Sequence, residues 1–179
     1  DKTIYDIYPY NGRVYLSTGF GIVVLDMSRL EIKETYYLGL AGETIFVRDL
    51  CVINETIYAA TSQGVRYADV NNDFLSNFEN WSTLTGLPGD ATPTQIEFFN
   101  NELVVVVPES TKDAVWSKSL DGDTWTIRQP IEWFRISRIW SSANWFYCSG
   151  NFAYWYCQNN LDALTYVDKF KGTQLDVSD

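Results

Sequence analysis

Short runs rich in Val, Ile, Tyr, Phe and Trp follow one another along the chain, separated by Asn, Gly, Asp and Pro, and no stretch carries the three-and-four spacing of an amphipathic helix. Runs of this kind read as strands, and the residues between them supply the turns of an up-and-down sheet. The runs also repeat. Residues 7–21 read as a strand, an Asn11-Gly12 turn, a strand over 13–18 and a second turn at Gly19-Phe20-Gly21. Residues 50–64 restate this with Asn54-Glu55 at the first turn, and Tyr15, Thr18 and Gly21 map onto Tyr58, Thr61 and Gly64 at a single offset of 43. Further copies follow Asn101 and Asn144. The middle-strand positions Tyr15, Tyr58, Val104 and Tyr147 step by 43, 46 and 43, and so do Ile7, Leu50, Ile96 and Ile139 in the preceding strand. A third run lies at 22–26, 65–68, 115–118 and 152–155, and an aromatic marks the end of each repeat: Tyr36, Trp81, Trp125 and Tyr166.

Each repeat therefore holds four strands, with no helix longer than a turn. The predicted fold is all-β: four four-stranded antiparallel blades of a β-propeller, one domain over 1–179 with repeats near 1–42, 43–89, 90–130 and 131–179. A twisted four-stranded sheet cannot bury both faces alone, so successive sheets stack around an axis. The apolar run 103–107 suits a strand covered on both faces. Four blades either close into a small ring or leave two open faces, and the open case predicts a homodimer of two half-rings.

Composition sharpens the reading in a few places. Aromatic residues make up 16% of the chain, which favours strands. The net charge of −10 argues against nucleic acid as a partner. Arg128, Arg135 and Arg138 crowd together and read as a solvated face. No run approaches the length of a membrane helix, and the opening Asp1-Lys2-Thr3 is not an apolar signal segment, so targeting information is expected elsewhere in a processed or trimmed chain. Cys51, Cys148 and Cys157 are odd in number and lack metal-ligand spacing, and read as free buried thiols. A hairpin turning near Gly150-Asn151 would set Cys148 opposite Ala153 and leave Cys157 too far for a bridge.

The segments Tyr15-Leu16-Ser17-Thr18-Gly19-Phe20-Gly21-Ile22 and Tyr58-Ala59-Ala60-Thr61-Ser62-Gln63-Gly64-Val65 resemble the two-component regulator propeller repeat. Residues 15–37, followed by 57–61, are similar to interior propeller blades of the PorZ-like proteins of the Bacteroidetes type IX secretion system. That resemblance is good over 1–85 and implies an exported cell-surface or periplasmic protein of a Gram-negative bacterium. It also implies a place in an attachment complex and contact with lipopolysaccharide. Ser119-Leu120-Asp121-Gly122-Asp123-Thr124-Trp125 is similar to the Asp-box of sialidase-type propellers, a structural hairpin between the two outer strands.

Candidate chemistry is sparse. The chain has no histidine, which removes His-based nucleophile triads and the usual zinc hydrolase sets. Gly19-Phe20-Gly21 lies between strands and is a hairpin turn, not a phosphate loop. Asp121-Gly122-Asp123 lacks the further ligands of a calcium loop. Asp6, Asp49 and Glu97 recur near one edge of successive repeats, where carboxylates commonly bond turns. The aromatic group Trp140, Trp145, Phe146, Tyr147, Phe152, Tyr154, Trp155 and Tyr156 is mainly inter-blade packing, with Trp140, Trp145 and Trp155 as the candidate contact patch. The sequence thus points to a non-enzymatic module binding protein or glycan, with no cofactor and no metal. Its rivals are a carbohydrate-active enzyme and the sensor module of a hybrid two-component regulator.

Overall fold

A computed structural model describes residues 2–168 apart from 90, 129–134 and 152. Phe152 of the aromatic group therefore lies outside the described residues, as does the repeat boundary at 130/131. Among the described residues sixteen strands form four separate four-stranded antiparallel sheets. Blade 1 holds β1 (Ile4–Tyr10), β2 (Arg13–Thr18), β3 (Gly21–Asp26) and β4 (Glu31–Tyr36). Blade 2 holds β5 (Val47–Ile53), β6 (Thr56–Thr61), β7 (Gly64–Asp69) and β8 (Ser82–Leu84). Blade 3 holds β9 (Gln95–Phe99), β10 (Glu102–Pro108), β11 (Asp113–Ser119) and β12 (Thr126–Arg128). Blade 4 holds β13 (Ile136–Ser142), β14 (Trp145–Gly150), β15 (Ala153–Gln158) and β16 (Thr165–Asp168). Among the described residues helix is confined to single 3-10 turns at Leu40–Gly42, Phe78–Asn80 and Leu161–Ala163.

The turn chemistry explains the repeat. The first hairpins close on residues with positive φ, Asn11 and Gly12, Asn54 and Glu55, and Asn100 and Asn101, the mirror-image turns whose twist matches the strands. In the second hairpin the Thr18 hydroxyl donates to the Gly21 carbonyl at 2.8 Å and accepts from the Phe20 N–H at 3.3 Å. Thr61 does the same with Gly64 at 2.7 Å and Gln63 at 3.0 Å. The Thr-x-x-Gly spacing is thus a self-closing turn, and Gly21 is required because a Cβ there would meet the Tyr36 carbonyl oxygen at 2.1 Å.

Three apolar clusters join the blades in order. Tyr15, Ile22, Val24 and Tyr36 of blade 1 pack on Leu50, Ile57, Ala59 and Ala68 of blade 2. Cys51, Ile53, Ala60 and Val65 meet Ile96, Leu103 and Val105, with Trp125 beside them. Phe99, Val104, Val106 and Val115 meet Ile139, Phe146, Cys148 and Trp155. No apolar cluster among the described residues joins blade 4 to blade 1, so the four sheets form an open arc. Blade 1 consequently leaves two cross-strand rows without a blade against them, Ile7-Leu16 and Pro9-Val14-Leu25-Ile32, in which Ile7, Pro9 and Ile32 are exposed and Leu16, Val14 and Leu25 half-buried. Ile7 is 60% exposed, whereas its counterpart Leu50 in blade 2 is 1% exposed.

Several expectations need correction. The end-of-repeat aromatics are not equivalent: Tyr36 pairs with Ile22, while the matching Val65 pairs with Leu84, because Trp81 and Trp125 precede β8 and β12. Cys148 faces Trp155 and Cys157 faces Phe146, a register two residues away from the expected one. All three thiols are free and buried. Arg128, Arg135 and Arg138 are ion-paired ties between elements, Arg128 largely covered and Arg135 and Arg138 about half exposed. Arg128 meets Glu102 and Asp162, both at 2.7 Å, Arg135 meets Asp113 at 2.8 Å, and Arg138 meets Asp6 at 3.1 Å.

Candidate functional site

The first strand of each blade is a sheet edge lying on the axis side, and edges must satisfy or hide their unpaired main-chain groups. In three blades this strand carries a register shift, between Ile4 and Asp6, Val47 and Asp49, and Ile136 and Arg138. A bulge re-aims the extra residue, here Tyr5, Arg48 and Ser137. Thr94, whose N–H bonds the Val106 carbonyl at 2.9 Å, holds the corresponding position before β9. These four residues rim one cavity of about 250 Å³.

The residue that follows each of them forms a second tier: Asp6, Asp49, Gln95 and Arg138. Their side chains act across the joints. Asp49 accepts the Ile96 N–H of blade 3 at 3.0 Å, and Gln95 accepts the Ile139 N–H of blade 4 at 2.6 Å. Asp113 adds a bond from the Ile136 N–H at 2.6 Å. Each latch fills a donor that the edge strand cannot satisfy within its own sheet. Arg138 reaches from blade 4 to Asp6 of blade 1. The spacing of Asp6, Asp49 and Glu97 suggested one set, but Gln95 is the true equivalent, since Ile96 and not Phe98 pairs as Ile7 and Leu50 do.

Electrostatically the tier is unusual. Burial, then the neighbouring Asp6 carboxylate, raises the Asp49 carboxyl, outweighing the two N–H groups it accepts from Leu50 and Ile96. Burial likewise raises Glu97. A glycosidase pair stands about 5–9.5 Å apart around its bond. Asp6 and Asp49 are hydrogen-bonded to each other and both buried, which is a different arrangement. Among the described residues no group of His, Cys, Asp or Glu is placed to hold a metal ion.

The candidate aromatic patch divides. On the outer face of blade 4, Trp140 stacks on Tyr147 at 5.2 Å and 12°, and Trp145 lies 6.4 Å from Tyr147 and 5.8 Å from Tyr156. Trp140 is 39% exposed, whereas Trp155 is 6% exposed and points to the opposite face, into the joint with blade 3. Strand alternation puts Trp155 one position from Tyr154 and Tyr156 and therefore on the other side of the sheet. Tyr147 occupies the position of Tyr15 and Val104, both buried against a following blade.

The family model described as the N-terminal β-propeller domain of PorZ, of the type IX secretion system, matches residues 1–82. The matched residues take in blade 1 and all of blade 2 but the end of β8. PorZ itself, an essential surface component of that system in Porphyromonas gingivalis, superposes with a TM-score of 0.63 at 14% identity, over 94% of this chain and 26% of that one. The extracellular domain of a hybrid two-component system from B. thetaiotaomicron gives 0.66 at 16% identity, over 93% and 23%. A chain of the nidogen/laminin complex gives 0.64 at 9% identity, over 88% and 62%. At these identities the likeness shows the fold. The chain spans about a quarter of the length of PorZ. No curated protein matches it. No helix among the described residues is long and apolar enough to cross a membrane.

Proposed function

We propose that this chain is a non-enzymatic binding and scaffolding propeller module, a single unit over 1–179, of an exported bacterial surface or periplasmic protein. Its setting is the attachment complex of type IX secretion. The match of residues 1–82 to the PorZ propeller supports that setting. The observation that carries the binding role is the pair of open faces. Blade 1 offers an aliphatic face and blade 4 an aromatic one, each built from positions that the other blades bury against a neighbour. Surfaces of this kind are protein-docking surfaces. The complementary surface is a second copy of the chain, with blade 4 of each copy on blade 1 of the other, completing a ring of eight blades.

Light scattering after size exclusion tests the assembly. The expected mass is twice 20.6 kDa, falling to the single mass in Ile7→Lys and in Trp140→Lys. A monodisperse wild-type monomer rejects the half-ring pairing. The likeness to the two-component extracellular domain supports a sensor module as the second reading. Sequencing beyond the chain would favour that reading by revealing a membrane segment followed by a kinase.

A further inference from the structure

The axial rim offers a site distinct from the open blade faces. The second tier has its polar atoms committed to latches and to the Arg138–Asp6 pair. The rim does not. The Arg48 guanidinium lies over the Tyr5 ring at 4.2 Å and against Phe46 at 5.2 Å, and those two rings meet edge to face at 6.3 Å. Cation–π contact fixes the plane of the guanidinium while leaving its N–H edge unused. Among the described residues no carboxylate or carbonyl takes those N–H groups. Thr94 and Ser137 add hydroxyls to the same cavity, the Ser137 hydroxyl donating to Asn151 at 3.4 Å.

Convergent donors around a fixed guanidinium call for an anionic acceptor with two oxygens in a plane. The cavity, about 250 Å³, is smaller than the ~300–1,000 Å³ of sites that enclose whole small ligands, and suits one side chain. A sugar ring would need an aromatic face for stacking, and the guanidinium already occupies Tyr5 and Phe46. We propose that this rim binds the carboxylate of an acidic peptide segment, with Arg48 as the principal donor and Thr94 and Ser137 beside it. Nearby acidic groups do not cancel the site: Asp6 is paired with Arg138, and Asp49 is turned to Leu50 and Ile96.

The test follows the Arg48 Nε–H signal of the labelled full chain by NMR during titration with acetyl-Gly-Glu-Gly-amide. The expected result is a saturable shift near ~1 mM and none with the Gln counterpart of the peptide. Arg48→Gln, followed at the amides of Thr94 and Ser137, should weaken binding about tenfold. Thr94→Val keeps the Arg48 stack and should weaken it about threefold, which decides the matter if the first variant does not fold. No saturable shift, an equal response to the Gln peptide, or a tighter response to glucuronate or inorganic phosphate overturns the assignment.

Discussion

Replacing Asp49 by Asn removes one charge from the axis while keeping the shape of the latch. The amide oxygen still accepts the Ile96 N–H, and the new N–H₂ can donate to Asp6. In the folded chain burial and the Asp6 carboxylate push the Asp49 carboxyl up to about 8, from an ordinary value of 3.8. Below 3.8 both folded and unfolded chains hold the proton, and this contribution to stability is complete. Between the two values the unfolded chain has released a proton that the folded chain retains, so stability falls as pH rises, by at most about 1.4 kcal/mol per pH unit. Above the folded value the dependence ends. Asp6, Glu97, Cys51 and Arg138 are present in both proteins, so the difference between them reports the proton held by the Asp6–Asp49 pair. Urea unfolding at pH 5, 6, 7 and 8 should show the wild type losing about 1 kcal/mol per pH unit more than Asp49→Asn, with the variant the more stable by about 1–3 kcal/mol at pH 7.5. Parallel pH profiles, or a variant less stable at pH 7.5, would refute the assignment of a retained proton to this pair.

Two other outcomes are expected. Gly21→Ala should cost about 3 kcal/mol or more, because its Cβ meets the Tyr36 carbonyl, whereas Gly64→Ala, with φ of +88° and open space, should cost about 1 kcal/mol; equal shifts in thermal unfolding would contradict this contrast. The thiols of Cys51, Cys148 and Cys157 are buried, with Cys148 raised to about 12 by burial, so a disulfide-exchange reagent at pH 8 should label none in the native protein and all three after unfolding. A fast native thiol would show that one joint opens.

The blades were legible because the hairpins leave fixed marks. Asn11-Gly12 and Thr18-x-x-Gly21 are local requirements of backbone conformation and hydrogen bonding, and between blades 1 and 2 they recur at one offset whatever the packing. The Ile7, Leu50, Ile96 and Ile139 register survives intact in the pairings for the same reason. The fourth strands were read less well. Tyr36 and Trp81 look equivalent by spacing, yet β8 is only three residues long, and the chain before it detours through Phe78–Asn80. The rim left little signal. A bulge is a one-residue event with no fixed residue type, so Tyr5, Arg48 and Ser137 share a position without sharing chemistry. The tier beneath was half visible: Asp6 and Asp49 stood out as carboxylates, but Gln95 and Arg138 became their counterparts only through strand pairing. The ion pairs of the Arg cluster were missed because the carboxylates that engage it lie 22 to 132 residues away in sequence.

The latches have a consequence for how such chains change over time. Asp49 and Gln95 grip main-chain N–H groups of the next blade, and every non-proline residue supplies one. A joint of this kind places no demand on the side chain it holds. Neighbouring blades can drift in sequence while one polar side chain at a joint, Asp49 between blades 2 and 3 and Gln95 between blades 3 and 4, keeps the neighbour docked in register. That tolerance offers a physical route by which one architecture persists among chains as divergent as those at 9–16% identity described above.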